Sequence, residues 1–202
     1  MKATARLLGP RFDEALLLAT KLHAGQVRKG GDIPYIAHLL AVAALVLESG
    51  GDEDEAIAAL LHDSVEDQGG APTLAEVRRL FGDRVAAVVE GCSDTDQVPK
   101  PPWRSRKETY LAHLQTATPE VLRVSLADKL HNARAVMSDL GLHGDGLWSR
   151  FNAGKSEQLW YYRGLADAFL KVRPGQMADE LDRVVTAIEK LASEPAGNAT
   201  SS

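Results

Sequence analysis

The strongest constraint on the fold of this chain is the spacing of its apolar residues, which recur at intervals of three and four along most of its length. Leu16, Ala19 and Leu22 show this helical spacing in the first such segment. No segment has the alternating β-branched pattern that is typical of strands. The sequence therefore predicts an all-α fold, a compact bundle of about eight to ten helices.

Glycine, proline and polar clusters divide this pattern into separate segments. The predicted helices cover about residues 9–25, 34–47, 52–67, 73–81, 83–92, 105–116, 119–140, 146–172 and 177–193. Thr73 and Glu76 have the spacing of a capping box, so we expect a helix to begin at Thr73. The polar connection SDTDQVPKPPW is typical of an ordered functional loop or a flexible flap.

Length and composition limit the organisation of the chain and its partners. Its 202 residues, 45% apolar and 25% charged, predict one domain over residues 1–193 and a disordered tail over 194–202. A single cysteine, Cys92, and the lack of any apolar run near the roughly 18–20 residues of a membrane span favour a cytoplasmic protein without membrane contact. The net charge of −5 argues against nucleic acid as a partner but is compatible with a small phosphorylated ligand. A monomer and a homodimer are both compatible with the sequence.

The most informative segment is LHDSVED, which ends a strongly apolar helix. His62 and Glu66 are four residues apart, as are Asp63 and Asp67, so we expect the four polar side chains to share one side of the helix. Three carboxylates this close together repel one another. A divalent metal ion is the usual source of the positive charge that holds such a group together.

Two further polar residues interrupt apolar helices and are candidates for metal ligands. His38 lies in PYIAHLLAVAAL, and Asp128 lies in VSLADKLHNAR, where a lone carboxylate needs a partner. Together with His62 and Asp63 they supply two imidazoles and two carboxylates, a set that suits Mn²⁺ or Fe²⁺ in a six-coordinate site. Zn²⁺ remains an alternative, although it prefers four ligands.

This order of histidines and aspartates resembles the signature of the HD phosphohydrolases. The segments HAGQVRKGGDIPYIAHLLAVA, ALLHDSVED, FGDRVAAVVEGCSD and LADKLHNAR resemble the hydrolase domain of RelA/SpoT-type enzymes, and especially the stand-alone small alarmone hydrolases. The resemblance covers about residues 10–172. It implies an all-helical, Mn²⁺-dependent enzyme that removes pyrophosphate from the 3′ position of guanosine tetra- and pentaphosphate, the alarmones of the stringent response.

The resemblance also implies roles for individual residues. By matched position, the Mn²⁺ ligands are His38, His62, Asp63 and Asp128. Glu66 and Asp67 become the pair that orients and deprotonates the attacking water. The residues expected to contact the nucleotide are Arg28, Lys29, Asn132 and Tyr161.

Two other functions remain open at this point. The same pocket would suit another nucleotide with a 2′- or 3′-phosphate, for example NADPH in a 2′-phosphatase reaction. Outside enzymes, the alternative is a catalytically inert nucleotide-binding module. Glu66 and Asp67 argue against an inert module, because a pure binder has no use for two extra carboxylates that face a phosphate.

Overall fold

The computed structural model describes residues 8–93 and 99–194. These residues form the 3-10 helix Gly144–Arg150 and ten α-helices: α1 (Pro10–Leu22), α2 (Ile36–Glu48), α3 (Glu53–Leu61), α4 (Ser64–Asp67), α5 (Ala71–Phe81), α6 (Asp83–Cys92), α7 (Trp103–His113), α8 (Pro119–His143), α9 (Lys155–Val172) and α10 (Gln176–Ser193). Extended segments meet only at an isolated antiparallel bridge between Val27 and Pro34 in this described part. The all-α prediction is confirmed. Across these ranges, none of the helices combines the length and apolar character needed to cross a bilayer.

The helices fall into two compact units, and the division lies within α8. The first unit is drawn from Met1–Pro101 and Thr116–Asp128, and the second from Pro102–Gln115 and Lys129–Ser202. The single domain expected over residues 1–193 stays a prediction. Most of the tail expected to be disordered, residues 195–202, lies outside the described residues.

Helix α3 is central to the first unit, where it packs against α1, α2 and α6. A capping box fixes its start: the Asp52 carboxylate accepts from the Glu55 backbone N–H at 3.1 Å, and the Glu55 carboxylate accepts from the Asp52 N–H at 2.9 Å. Every residue from Glu55 to Leu61 is buried, and Arg123 of α8 pairs with the Glu55 carboxylate. The end of α3 therefore delivers the next residue, His62, into the interior of this unit.

The start of α5 differs from the prediction of a cap at Thr73. The helix begins at Ala71, preceded by Gly70, which has no side chain to offer as a cap. Pro72 occupies the first turn, where its missing N–H costs nothing. The Thr73 hydroxyl donates instead to the Gln68 carbonyl at 2.8 Å, so the predicted capping box is wrong.

In the second unit, α9 packs against α7 and α10. Leu165 and Phe169 of α9 and Leu181 of α10 are completely buried. Arg163 of α9 donates to the Asp182 carboxylate of α10 at 2.6 Å. An apolar seam and an ion pair therefore join these two helices.

The helix predicted over 146–172 is wrong in its first part. Gly144–Arg150 form a 3-10 helix, and Phe151 is extended with φ −100° and ψ 152°. Trp148 Nε1 donates to the Asp145 carboxylate at 3.1 Å, which holds the 3-10 turn. Asn152 and Gly154 are poor helix formers, so α9 starts only at Lys155.

Candidate metal centre

Three buried side chains from separate helical elements converge in the first unit. His38 lies in α2, His62 directly follows α3, and Asp128 lies in α8. Their exposed fractions are 1%, 3% and 5%. One potential ligand atom from each lies within 4.8 Å of the other two. Residues far apart in sequence therefore offer two imidazoles and a carboxylate to one point.

The carboxylate of Asp63 completes what we call the four-residue cluster. Its Oδ2 lies 3.1 Å from Nε2 of His62 and 3.5 Å from Nε2 of His38. Oδ1 of Asp128 lies 3.2 Å from Nε2 of His38 and 3.7 Å from Nε2 of His62. The structure thus brings together all four residues that the sequence indicated as ligands.

A backbone contact orients the imidazole of His62. Its Nδ1 lies 2.8 Å from the carbonyl oxygen of Ala59. Because a carbonyl only accepts hydrogen bonds, Nδ1 carries a proton. In the neutral imidazole, the lone pair is then on Nε2, which faces the carboxylates of the cluster. A backbone carbonyl on the far nitrogen is the usual outer partner of a metal-binding histidine.

This donor set fits a divalent cation. A lone pair on His62 Nε2 and the Asp63 oxygen 3.1 Å away repel each other unless positive charge lies between them. A proton on the imidazole supplies one positive charge. A divalent ion supplies two and also accepts a lone pair from the imidazole and from the carboxylate. Two imidazoles and two carboxylates are the ligands of a borderline-hard metal.

The charges within the four-residue cluster shift its protonation. Burial by itself lowers the pKa of His62, but the charges and hydrogen bonds of Asp63 and Asp128 outweigh burial and raise this pKa well above its usual value. Burial would raise the pKa of Asp63, yet the imidazoles of His62 and His38 outweigh it and lower this pKa. The cluster therefore favours an ionised Asp63 beside a positively charged partner.

The structure has two helices where the sequence predicted one continuous helix to residue 67. Helix α3 ends at Leu61 and α4 starts at Ser64, with His62 and Asp63 between them. The Ser64 hydroxyl donates to the Leu61 carbonyl at 2.6 Å, and His62 Nδ1 donates to the Ala59 carbonyl. In a continuous helix these carbonyl oxygens would accept from backbone N–H groups, so the two side chains compete with the helix. His62 and Asp63 therefore lie in the short turn between the two helices.

The pair predicted to handle the attacking water, Glu66 and Asp67, lies at the end of α4. Lys100 Nζ donates to Glu66 Oε1 at 2.7 Å, and Gln26 Nε2 donates to Asp67 Oδ2 at 2.8 Å. Desolvation raises the pKa of Asp67; the Gln26 hydrogen bond opposes this, and the charges of Asp63 and Glu66 add to it. The net result is a raised pKa, which makes the ionised Asp67 carboxylate a stronger proton acceptor than an ordinary aspartate.

Sequence reasoning missed Tyr35, which directly supports the cluster. Its hydroxyl donates to Asp63 Oδ2 at 2.6 Å, and its ring stacks on His23 with centroids 5.1 Å apart. Tyr35 stands three residues before His38, one helical turn away, and this spacing is the signal that was available. His23 is itself buried and contacts Gln26 Oε1 through Nδ1 at 2.7 Å.

The predicted nucleotide residues Arg28 and Lys29 lie in the loop between α1 and α2. The Arg28 N–H donates to the Ile33 carbonyl at 2.8 Å, next to the bridge described above. The Arg28 guanidinium lies 5.9 Å from the centroid of the Tyr35 ring, and Lys29 is exposed. Both residues thus belong to the first unit, while their contact with a nucleotide stays a prediction.

Asn132 and Tyr161, also predicted to contact the nucleotide, belong to the second unit. Asn132 is half-buried on α8. Tyr161 of α9 is buried beside Trp103, with ring centroids 5.8 Å apart, and Lys107 Nζ lies 5.0 Å from its ring centroid. These surroundings give Tyr161 a packing role, and the predicted nucleotide contacts of both residues stay predictions.

Known proteins similar to this chain cover its HD-like region. Residues 15–156 match the HD domain family. The chain is 40% identical over 128 residues to a GTP pyrophosphokinase of Streptomyces coelicolor. This alignment covers 62% of this chain and 15% of that protein. It is 36% identical over 134 residues to the bifunctional (p)ppGpp synthase/hydrolase SpoT of Escherichia coli K12, which is 63% of this chain and 18% of that protein. The aligned region thus spans less than a fifth of these curated relatives.

One solved structure matches over most of both chains. It is a metazoan ortholog of SpoT, described as hydrolysing ppGpp and playing a role in starvation responses. The two structures superpose with a TM-score of 0.72 at 25% identity, over 91% of this chain and 97% of that chain. By its match over residues 15–156 and its similarity to SpoT, this chain belongs to the HD domain family and is homologous to the hydrolase domains of RelA/SpoT-type enzymes.

Proposed function

We propose that this chain is a metal-dependent hydrolase that removes pyrophosphate from the 3′ position of guanosine 3′,5′-bis(diphosphate) and its pentaphosphate analogue. The observation that carries the proposal is the convergence of the four-residue cluster, followed one turn later by Glu66 and Asp67. The names of the SpoT relative and of the metazoan ortholog support this substrate class. Such an activity removes alarmones in the stringent response and points to a cytoplasmic location.

The four-residue cluster would hold the ion, and we propose Mn²⁺, with Fe²⁺ and Zn²⁺ as alternatives. When bound, a divalent ion supplies Lewis-acid stabilisation of the negative charge that grows on the phosphoryl oxygens. His38, His62, Asp63 and Asp128 are the proposed ligands, and the burial of His38, His62 and Asp128 limits the access of bulk water to the ion.

The proposed chemistry assigns the proton transfer to Asp67. The oxygen of water forms a bond to the phosphorus next to the ribose 3′ oxygen while the bond from that phosphorus to the 3′ oxygen breaks. Asp67 takes the proton of the water, and its raised pKa favours this step. Glu66, fixed by Lys100 at 2.7 Å, orients the water beside it. The 3′ oxygen leaves and takes a proton from solvent to become the free hydroxyl of GDP or GTP, Asp67 returns its proton to solvent, and pyrophosphate is the second product.

The proposed nucleotide contacts use cations and an aromatic ring. Arg28 would stack on the purine and Lys29 would meet phosphate. Asn132 would hold a ribose or phosphate oxygen, and Tyr161 would close the sugar side. These four assignments follow from positions matched to the family rather than from contacts in the protein.

A nucleotide and metal panel tests the proposed function. Purified protein is incubated with 2′-, 3′- and 5′-phosphorylated nucleotides and Mn²⁺, Mg²⁺, Zn²⁺ or a chelator, and products are identified by anion-exchange chromatography. We expect pyrophosphate and GDP from guanosine 3′,5′-bis(diphosphate) with Mn²⁺ and no turnover with the chelator. Orthophosphate release from NADPH alone would favour the 2′-phosphatase alternative. Nucleotide binding without any turnover, unaffected by Glu66→Gln and Asp67→Asn, would favour the inert module.

A further inference from the structure

A chain of hydrogen bonds leads from the core to the carboxylate of Asp67. Gln26 Nε2 donates to Asp67 Oδ2 at 2.8 Å. Gln26 Oε1 accepts from Gln68 Nε2 at 2.7 Å and contacts His23 Nδ1 at 2.7 Å. We call these four residues the Gln26 network. Its members come from the end of α1, the following loop and the end of α4.

The chemistry of the partners fixes the direction of each bond in the Gln26 network. A carboxylate only accepts hydrogen bonds, so the amide of Gln26 must present its NH₂ group to Asp67. The carbonyl of Gln26 then faces Gln68 Nε2 and His23 Nδ1, and both must donate. Both ends of the amide are therefore occupied in one orientation.

The supports of Gln26 are themselves held in place. His23 is buried, with an exposed fraction of 3%, and stacks on the ring of Tyr35. The Gln26 backbone carbonyl accepts from the Tyr35 N–H at 2.9 Å. Backbone and side chain of Gln26 are thus both fixed, whereas Asp67 is open to solvent on its other side. A fixed donor on an exposed carboxylate restricts rotation that solvent would otherwise allow.

We propose that Gln26 is a positioning residue for the hydrolysis: it binds one oxygen of Asp67 and so directs the other oxygen at the attacking water. The inference rests on the proposed function, because it gives Asp67 the role of proton acceptor. It concerns residues outside the four-residue cluster, since Gln26 contacts Asp67, Gln68 and His23.

The Gln26 donor also offsets the negative charges that face Asp67. Asp63 and Glu66 approach Asp67 from the α4 side and His23 from the α1 side. The two carboxylates favour a protonated Asp67, while the Gln26 N–H favours the ionised form that accepts a proton. Loss of this donor should therefore remove both the orientation and part of the ionisation of Asp67.

Two substitutions of Gln26 and one control test the inference. Gln26→Met keeps the side-chain length and removes the donor, and Gln26→Glu places a carboxylate against Asp67. Gln115→Glu makes the same charge change on an exposed residue of the second unit. With saturating Mn²⁺, we expect kcat to fall about 10- to 100-fold in Gln26→Met, with KM within about twofold of wild type. In Gln26→Glu, the acid limb of the kcat profile should move to higher pH, and in Gln115→Glu it should stay in place.

Two measurements without turnover separate positioning from structural support. Isothermal titration with Mn²⁺ should give the same Kd for wild type and Gln26→Met, and the melting temperatures should agree. If Gln26→Met fails to fold, Gln68→Leu removes only the donor to Gln26 Oε1, and a smaller loss of kcat with unchanged KM is expected.

Each contrary result has a defined meaning. A wild-type kcat in Gln26→Met, or a fall in kcat that is matched by weaker Mn²⁺ binding, overturns the positioning role. In both cases an active wild-type protein leaves the proposed function intact. A wild-type protein that hydrolyses no nucleotide in the panel overturns the proposed function and this inference together.

Discussion

Replacing Tyr35 by phenylalanine should weaken metal binding without disturbing the fold. The substitution removes the hydroxyl that donates to Asp63 Oδ2 at 2.6 Å. It keeps the ring, whose stacking on His23 at 5.1 Å fixes the position of the side chain. Burial and the charge of Asp63 raise the pKa of Tyr35, so the wild-type hydroxyl remains a donor throughout the neutral range.

The size of the effect follows from the type of bond that is lost. A short hydrogen bond from a hydroxyl to a carboxylate is charge-assisted, and such a bond contributes about 1.5–3 kcal/mol. Since about 1.4 kcal/mol corresponds to a tenfold change in affinity, the Kd for Mn²⁺ should rise about 10- to 100-fold. Without the hydroxyl, Asp63 must be ordered by the ion itself, and this cost appears as weaker binding.

Isothermal titration of chelator-treated protein with Mn²⁺ measures this change. Tyr162→Phe is the matched control, because it deletes a hydroxyl from another largely buried tyrosine in the second unit. We expect a wild-type Kd in the control. A Kd for Tyr35→Phe within twofold of wild type would refute the conclusion that this hydroxyl orients a ligand.

Three further predictions concern stability. The pKa of His62 is raised in the folded state, so protonated His62 stabilises the fold fully below the unfolded pKa of 6.5, and this stabilisation is lost as pH rises through the folded pKa. The free energy of unfolding of chelator-treated protein, measured with urea from pH 6 upward, should therefore fall with pH. The fall should be smaller in His62→Gln. Arg123→Met leaves the buried Glu55 carboxylate without its cationic partner and should lower the free energy of unfolding by about 3–5 kcal/mol. Adding Glu55→Gln removes the buried charge, so the double variant should recover part of this loss. An equal loss in the single and the double variant would contradict the reasoning. Gly82→Ala, at φ 90°, should cost about 1–2 kcal/mol, whereas Gly141→Ala within α8 should stabilise, and the same sign for both would refute the reasoning.

Much of the fold could be predicted because helices depend on local spacing. The apolar stripe of α1 and the glycine at position 82, which separates α5 from α6, are visible in the sequence itself. The start of α5 does not follow from the sequence, because the Thr73 side chain can bond either to Glu76 in a capping box or to the preceding turn. Only the folded structure shows that its hydroxyl donates to the Gln68 carbonyl. The division of α8 between two units depends on contacts far apart in sequence, which periodicity does not encode.

The cluster could be predicted for a different physical reason. His38 and Asp128 each interrupt an apolar helix, and a polar group in such a place needs a partner. For Tyr35 the sequence offers only its three-residue spacing from His38, and Gln26 lies in the irregular loop before α2, where spacing says little about the direction of a side chain. Their importance depends on bonds to Asp63 and Asp67 that only the folded chain brings within reach.

The most direct test of the central claim counts the metal ions bound by this chain. Wild-type protein, Asp128→Asn and the exposed control Asp167→Asn are dialysed against Mn²⁺, and bound metal is measured by elemental analysis. The convergence of the four-residue cluster predicts about one ion per chain in wild type and control and a large loss in Asp128→Asn. Equal metal content in all three proteins, or none in wild type, would contradict the assignment of this cluster as a metal centre.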